Sequence, residues 1–314
     1  MNRNAIIKHV ELWQTKLGSM SAVARKCGIS PASLSTILSG TYGADENAML
    51  QKLAHALDYK ESNWTIVRSI HNYRTLATVF SDAKTESMWF CVSNPAGSSK
   101  TCTFEDIFNL DHSGSYTFIQ AEEWSARQFL IKLVKKTMGE KALDGRYKTI
   151  AQLTDMLAGY FNEKSLERPV LVIDEADKLR PAALRQLIPL FNRTEDRLGL
   201  ILSGTENLEK EIRAGVRLHK KGYDELESRF GRTYITLRGA SQKEVYEICS
   251  ANGLQEEEAQ ARIWGELEKR GKQTTVKTQT GFRDIMVEYA EDFRKIKRLI
   301  KRELLSKNRK AIGA

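Results

Sequence analysis

The stretch Arg168-Pro169-Val170-Leu171-Val172-Ile173-Asp174-Glu175-Ala176-Asp177-Lys178-Leu179 limits what this chain can fold into more than any other. An unbroken apolar run from Pro169 to Ile173 ends abruptly in carboxylates. A short apolar run rich in β-branched residues suits a strand buried on both faces of a parallel sheet. Acids at the C-terminal edge of such a strand stand where open α/β sheets bind ligands. The pattern is that of a Walker B strand end: Asp174 would hold the shell of a magnesium ion and Glu175 would orient or activate an attacking water. A core strand capped by the acids of a following helix would give the same residues without the chemistry. A phosphate loop upstream favours the first reading.

That loop is Asn94-Pro95-Ala96-Gly97-Ser98-Ser99-Lys100-Thr101. It follows a strand pattern, Met88 to Ser93, and precedes a helical one, which is the context a P-loop requires. Backbone amides at the helix start would cradle phosphates. Lys100 would reach the β- and γ-phosphates of ATP, and the Thr101 hydroxyl would ligate Mg2+ together with Asp174. The consensus asks for glycine where Asn94 and Ser99 stand. Asn94 is a mild departure because asparagine tolerates a left-handed backbone. A side chain at Ser99 would crowd the phosphates, so slow hydrolysis is expected.

Further strands are expected at Tyr116 to Gln120 and Leu198 to Ser203. Helices are expected at Ser125 to Met138, Ile150 to Phe161 and Pro181 to Phe191. A polar residue at the tip of the second of these strands would orient the attacking water. Thr205 is the first choice, with Ser203 and Asn207 as rivals. In Glu227-Ser228-Arg229-Phe230-Gly231-Arg232, a Ser-Arg-Phe at a helix end precedes a strand. Arg229, with Arg232 second, would act as a finger on a neighbouring subunit's nucleotide, or would cap a helix C-terminus.

The first sixty residues read as helices. An amphipathic helix from Asn4 to Leu17 turns Ile7, Val10, Leu12 (or Trp13) and Leu17 inward. Gly28 ends a second helix, Ser30 caps a third, Pro31 fits its first turn, and Gly40 stops it. That third helix buries Leu34 and Leu38. Helix, short turn containing glycine, helix is the helix-turn-helix pattern, and Glu46 to Leu57 completes a bundle. The second helix of the motif offers Ser33 and Thr36 but no Arg, Asn or Gln for bidentate base contacts. Arg25 and Lys26 would meet phosphates instead, so binding to double-stranded DNA would be largely sequence-indifferent.

Trp64 to Phe80 reads as a connector helix and Ser81 to Ser87 as a polar linker. Arg146 and Lys148 lie in a basic turn that is solvated surface or a DNA-backbone contact. Ser241 to Glu244 is a capping box opening further helices. Gly281-Phe282-Arg283 reads as the start of the last long helix, with Arg283 near the γ-phosphate. The end, Arg294 to Lys310, carries nine Lys or Arg and one acid. Within it Arg294, Lys297, Arg298 and Lys301 would face DNA phosphates. The whole chain of 314 residues carries a net charge of +9, which suits a polyanion partner without requiring one. Its four cysteines are scattered, without a CxxC pair, which suits reduced thiols in a cytoplasm. No run is long and apolar enough for a signal peptide or a membrane span.

With these residues in place, the chain resembles the phage Mu transposition protein B family, ATP-dependent target-DNA activators among the AAA+ ATPases. The most specific pieces are Val172 to Leu179 and Glu227-Ser228-Arg229. The TnsC proteins of Tn-type transposons resemble the ATPase part only. The resemblance implies an α/β fold: an AAA+ P-loop parallel sheet with a helical lid, preceded by a small all-α helix-turn-helix domain. The boundaries would be 1–63 for the helix-turn-helix, 64–87 for connector and linker, 88–240 for the ATPase core and 241–314 for the lid. It further implies ATP and Mg2+ as cofactors and ATP-dependent self-assembly into a helical filament on DNA. A DDE transposase of the Mu A kind would be the protein partner, in a host cytoplasm. Thr205 stands where that family usually has asparagine.

Three other readings are open. The chain would be a helix-turn-helix regulator whose ATPase fold is a switch or a dead scaffold. Alternatively it would be an initiator-like helicase loader. A DEAD-box helicase, suggested by Asp174 to Asp177, needs a second ATPase-like domain for which too little chain remains.

Overall fold

The computed structural model describes residues 3–312 apart from 44, 58, 60–63, 112 and 279–280. The chain divides into two compact units, Met1–Thr65 with Asn109–Gly114, and Ile66–Phe108 with Ser115–Ala314. The boundary expected at residue 63 lies outside the described residues.

The first unit holds α1 (Arg3–Leu17), α2 (Met20–Lys26), α3 (Pro31–Ser39) and α4 (Glu46–Ala56). Its start and stop signals act as polymer chemistry dictates. The Ser30 hydroxyl accepts from Ser33 N–H, Pro31 fills the first helical position, and Gly40 closes α3 in the left-handed region at φ 75°. The core joins Ile6, Val10, Val23, Ala24, Leu34, Ile37, Leu50 and Leu53. The expected inward positions are corrected on two helices. On α1 the inward residues are Ile6 and Val10, while Leu17 is exposed; on α3 Ile37 is buried and Leu38 only partly. The buried pairs Ile6–Val10 and Leu34–Ile37 lie four and three residues apart, the spacing of one helix face.

The second unit is built on a parallel sheet. Its strands are β1 (Trp89–Ser93), β2 (Tyr116–Gln120), β3 (Val170–Asp174), β4 (Gly199–Gly204) and β5 (Tyr234–Ile235), in the order β2-β3-β4-β1-β5. All neighbours pair in parallel. Both β3 and β4 are buried along their whole length, as unbroken apolar runs require. The expected α/β fold class is the one observed.

Around the sheet stand α5 (His71–Glu86), α6 (Lys100–Leu110), α7 (Ala126–Met138), α8 (Ile150–Glu163), α9 (Pro181–Leu184), α10 (Leu187–Thr194), α11 (Glu206–Arg217) and α12 (Tyr223–Arg229). The single helix expected over Pro181 to Phe191 is two. Pro189 has no N–H to give the carbonyl four residues back, so the ladder breaks at Arg185–Gln186.

The connector expectation is also corrected. No helix forms at Trp64–Ser69; α5 begins at His71 and continues through the supposed linker to Glu86. It buries Tyr73, Leu76, Val79, Phe80 and Ala83, a 3–4 spacing that belongs to a packed helix. A Cβ at Gly199 would stand 2.0 Å from the Ala83 carbonyl oxygen, so α5 lies directly on β4. It is part of the core and not a tether.

The C-terminal region holds α13 (Gln242–Ala251), α14 (Glu257–Glu266), an antiparallel hairpin of β6 (Lys269–Thr278) and β7 (Gly281–Ala290), and α15 (Phe293–Ile312). The wholly helical lid is therefore corrected, and Gly281-Phe282-Arg283 opens a strand and not a helix. The segment Ile285-Met286-Val287-Glu288-Tyr289 is rich in β-branched and aromatic residues, which favour a strand. α15 packs on α14, and its Ile296, Leu299 and Ile300 are buried.

Candidate nucleotide site

The site forms where β1, β3 and β4 end. Parallel strands put all three C-terminal edges on one side, and the loops after them converge there. The loop after β1 is the phosphate-loop candidate. Gly97 and Ser99 both adopt left-handed backbone, φ 88° and 71°. The position where the consensus wants glycine is thus one that needs glycine's freedom, and Ser99 takes it at a cost of about 1 kcal/mol. Ser99 Oγ is buried with no hydrogen-bond partner among the described residues. Asn94 does not use the left-handed region that was expected of it. It is buried, donates from Nδ2 to Ile235 O at 2.9 Å and accepts Leu237 N–H at 2.6 Å, so it ties the loop to the chain after β5. Asn72 on α5 does the same from the other side, donating to Ser98 O and accepting from Gly239 N–H.

Lys100 is folded into its own loop. Its Nζ donates to Asn94 O at 2.8 Å, Pro95 O at 3.1 Å and Ser98 Oγ at 3.0 Å. Burial pushes its ammonium below the ordinary value, while Asp174 and Asp177 pull it back. Thr101 Oγ1 donates to Asp174 Oδ2 at 2.5 Å, and Ser203 Oγ donates to Asp174 Oδ1 at 2.6 Å. A buried carboxylate is thus held by one hydroxyl from each neighbouring element. Among the described residues no cluster of three or more His, Cys, Asp or Glu could hold a metal by itself. A Mg2+ site draws on one or two protein oxygens and fills the rest with phosphate and water. The donor set Thr101 hydroxyl and Asp174 carboxylate fits such an ion.

Glu175 is left-handed, φ 55°, and caps a single 3-10 turn, Ala176–Lys178. Lys178 Nζ holds its Oε2 at 2.6 Å. Thr205 sits at the head of α11; its N–H and hydroxyl both donate to Asp177, at 3.0 and 2.7 Å. Asn207 is exposed and Ser203 is spent on Asp174, so the three rivals at this strand end have three different surroundings.

The arginines separate. Arg229 Nη2 donates to Asn192 Oδ1 at 2.7 Å and Glu225 Oε1 at 3.0 Å, and its guanidinium lies over the Phe191 ring. Arg232 is half-exposed and pairs with Asp224 at 2.9 Å and more loosely with Glu227. Arg283 lies on β7, so the expected helix-start arginine is displaced; its side chain lies outside the described residues. The helix start that does meet the phosphate loop is that of α15. Phe293 N–H donates to Gly97 O at 2.9 Å, and a Cβ on Gly97 would stand 2.5 Å from Asp292 Oδ1. Arg294 follows directly, close enough for its charge to disfavour the Lys100 ammonium. The sequence expectation of a DNA contact at Arg294 came from the basic run Arg294 to Lys310, which does not show that the helix begins beside the phosphate loop.

Arg25 and Lys26 are exposed on α2, with Lys26 over the Trp13 ring. Ser33 and Thr36 direct their hydroxyls to Ser30 Oγ and Ser33 O within their own helix. Arg146 is exposed; Lys148 is half-buried, and its carbonyl accepts from Arg127. On α15, Arg298 and Lys301 are exposed and Lys297 is half-buried.

Residues 85–212 match the family model of an AAA domain. The match spans β1 to α11, and so includes the phosphate loop, the Asp174–Glu175 strand end and Thr205. No curated protein matches the chain. Among solved structures, Cdc6p of Pyrobaculum aerophilum is 14% identical with a TM-score of 0.42, over 57% of this chain and 48% of that one. The ORC2 protein of Aeropyrum pernix, in ADPNP–ADP complexes, is 15% identical with a TM-score of 0.42, over 61% of this chain and 52% of that one. This chain thus spans about half the length of each.

Proposed function

We propose that the AAA domain binds Mg–ATP at this site, hydrolyses it, and uses the bound state to assemble on double-stranded DNA. The observation that carries the reading is the string Thr101–Asp174–Ser203 at the strand ends, beside a lysine already aimed into the phosphate loop. Ser99 Oγ, buried and unpartnered, offers a donor to a phosphate oxygen.

In the reaction, an attacking water oxygen bonds to the γ-phosphorus while the bridging oxygen departs with ADP. Glu175 takes the water's proton. Thr101 and Asp174 would hold a Mg2+ ion, which would supply charge neutralisation on the phosphates. Lys100 balances the β- and γ-oxygens, which requires it to leave the carbonyls of Asn94 and Pro95. Arg294 adds positive charge from the start of α15. Arg229, or Arg232 in its place, acts on a neighbouring copy's nucleotide once released from Glu225 or Asp224. The helical first unit, with Arg25 and Lys26, and the cations Arg146, Lys148, Arg298 and Lys301 meet DNA phosphates. The family resemblance supplies the last step: the ATP-bound assembly recruits and stimulates a DDE transposase, and hydrolysis removes it. Such a cycle runs in the cytoplasm.

The test is phosphate release and DNA co-sedimentation with and without ATP, joined to electron micrographs of the same mixtures. Lys100→Ala should abolish phosphate release and ATP-dependent assembly; unchanged assembly would sink the reading. A second reading, a DNA-binding switch that binds ATP without hydrolysing it, is favoured by the Glu175–Lys178 pair and by Ser99. It predicts ATP binding with no phosphate release even when DNA is present.

A further inference from the structure

We propose that Asp177 is a positioning residue that makes Thr205 a hydrogen-bond acceptor, and only an acceptor, toward the attacking water. The proposal rests on the hydrolytic reading above. Asp177 lies in the turn that follows Glu175, and both of its oxygens are spent on Thr205: Oδ1 takes the N–H at 3.0 Å and Oδ2 the hydroxyl at 2.7 Å. An ionised carboxylate only accepts, so the single hydroxyl proton of Thr205 is committed to Asp177. Asn207 N–H donates to the same Oγ1 at 3.3 Å and occupies one lone pair. One lone pair is left. It can receive an O–H of water; it has no proton to give a phosphoryl oxygen.

The arrangement is built and not incidental. A Cβ at residue 204 would stand 2.7 Å from Asp177 Oδ1, so glycine there is what lets the carboxylate approach. The Thr205 carbonyl is pinned as well, accepting from Ser93 Oγ at 2.8 Å, and that serine ends the strand leading into the phosphate loop. Glu175 and Thr205 are therefore oriented by one short turn. Glu175 accepts one proton of the water, and Thr205 accepts a hydrogen bond from the other. Asparagine at such a position would bring an amide that both donates and accepts; threonine held by Asp177 does not.

Asp177→Asn keeps the shape but offers one acceptor where there were two, and frees the hydroxyl to turn its proton outward. Steady-state hydrolysis should show kcat lowered about tenfold with KM for ATP within about twofold, the signature of an interaction made in the transition state. Asp177→Ala, which removes both acceptors without crowding the turn, should reproduce that split and carries the test if Asp177→Asn does not fold. In a Thr205→Val background, Asp177→Asn should cost nothing further. A wild-type kcat, a loss confined to KM, or full additivity with Thr205→Val would each overturn the role of Asp177. Failure of the parent reading looks different: phosphate release by the unaltered protein would be absent, or unaffected by Glu175→Gln.

Discussion

Ser99 occupies a position where backbone geometry, not side-chain chemistry, makes the demand. Its φ of 71° is one that an L-residue enters reluctantly, and its hydroxyl is buried without a partner among the described residues. Ser99→Gly removes both penalties but adds freedom to the unfolded chain, so the net gain should be about 1 kcal/mol. Thermal unfolding without nucleotide should therefore rise by a few degrees. A lower midpoint would show that Ser99 is stabilising where it stands. Lys178 makes a second residue-scale statement. It forms an exposed pair with Glu175, with the Lys178 ammonium raised by that hydrogen bond, so one oxygen of Glu175 is already occupied by a cation and turned from an incoming water. Lys178→Ala should raise basal phosphate release several-fold without altering ATP affinity; a lower rate would mean that Lys178 helps the reaction.

At the scale of elements, Glu244 joins two helix starts. It closes the capping box with Ser241 N–H and hydroxyl, and it accepts His71 N–H at 2.6 Å from the head of α5. Burial would raise its carboxyl, but those donors and Arg238 hold it below the ordinary value. A depressed folded pKa means stability that is present above the ordinary carboxylate range and lost as pH falls through the folded value. Glu244→Gln should therefore cost about 2 kcal/mol near neutrality, with the difference from the parent shrinking in acid. A pH-independent difference, measured by denaturant unfolding, would assign the loss to packing. The capping box itself was legible in Ser241 to Glu244, because caps are local. Its second duty, holding α5, was not, because His71 stands 173 residues away in the chain. The same distance in sequence explains the misread connector: α5 looks amphipathic wherever it starts, and only β4 beneath Gly199 and Ala83 fixes where it lies.

For the whole molecule, the excess of 49 Lys and Arg over 40 Asp and Glu gives the +9 on which the DNA reading leans. The fold spends part of it. Along α15, Lys295 pairs with Glu268, Arg302 with Glu266 and Lys307 with Glu256, so these cations secure the helix to the region of α14. DNA affinity should fall linearly with salt on logarithmic axes, and replacing Arg298 or Lys301 should reduce the slope by about one each. A replacement of Arg302 that changed the slope more than theirs would contradict this division. No helix among the described residues is long and apolar enough to cross a membrane.

The sequence by itself determined the parallel-strand core, the phosphate-loop position, the Asp174–Glu175 strand end and the caps of α3 and α13. Each of these is written in contiguous residues, as an apolar run, a glycine, or a cap three residues from its partner. Only the tertiary structure decided that Ser203 and Thr101 share Asp174, that Asp177 holds Thr205, that Arg229 rests on Phe191 and Asn192, and that α15 meets the phosphate loop through Phe293 and Arg294. Those contacts join loops that the order of strands brings together, and no periodicity in a single chain encodes which distant hydroxyl a buried carboxylate will find.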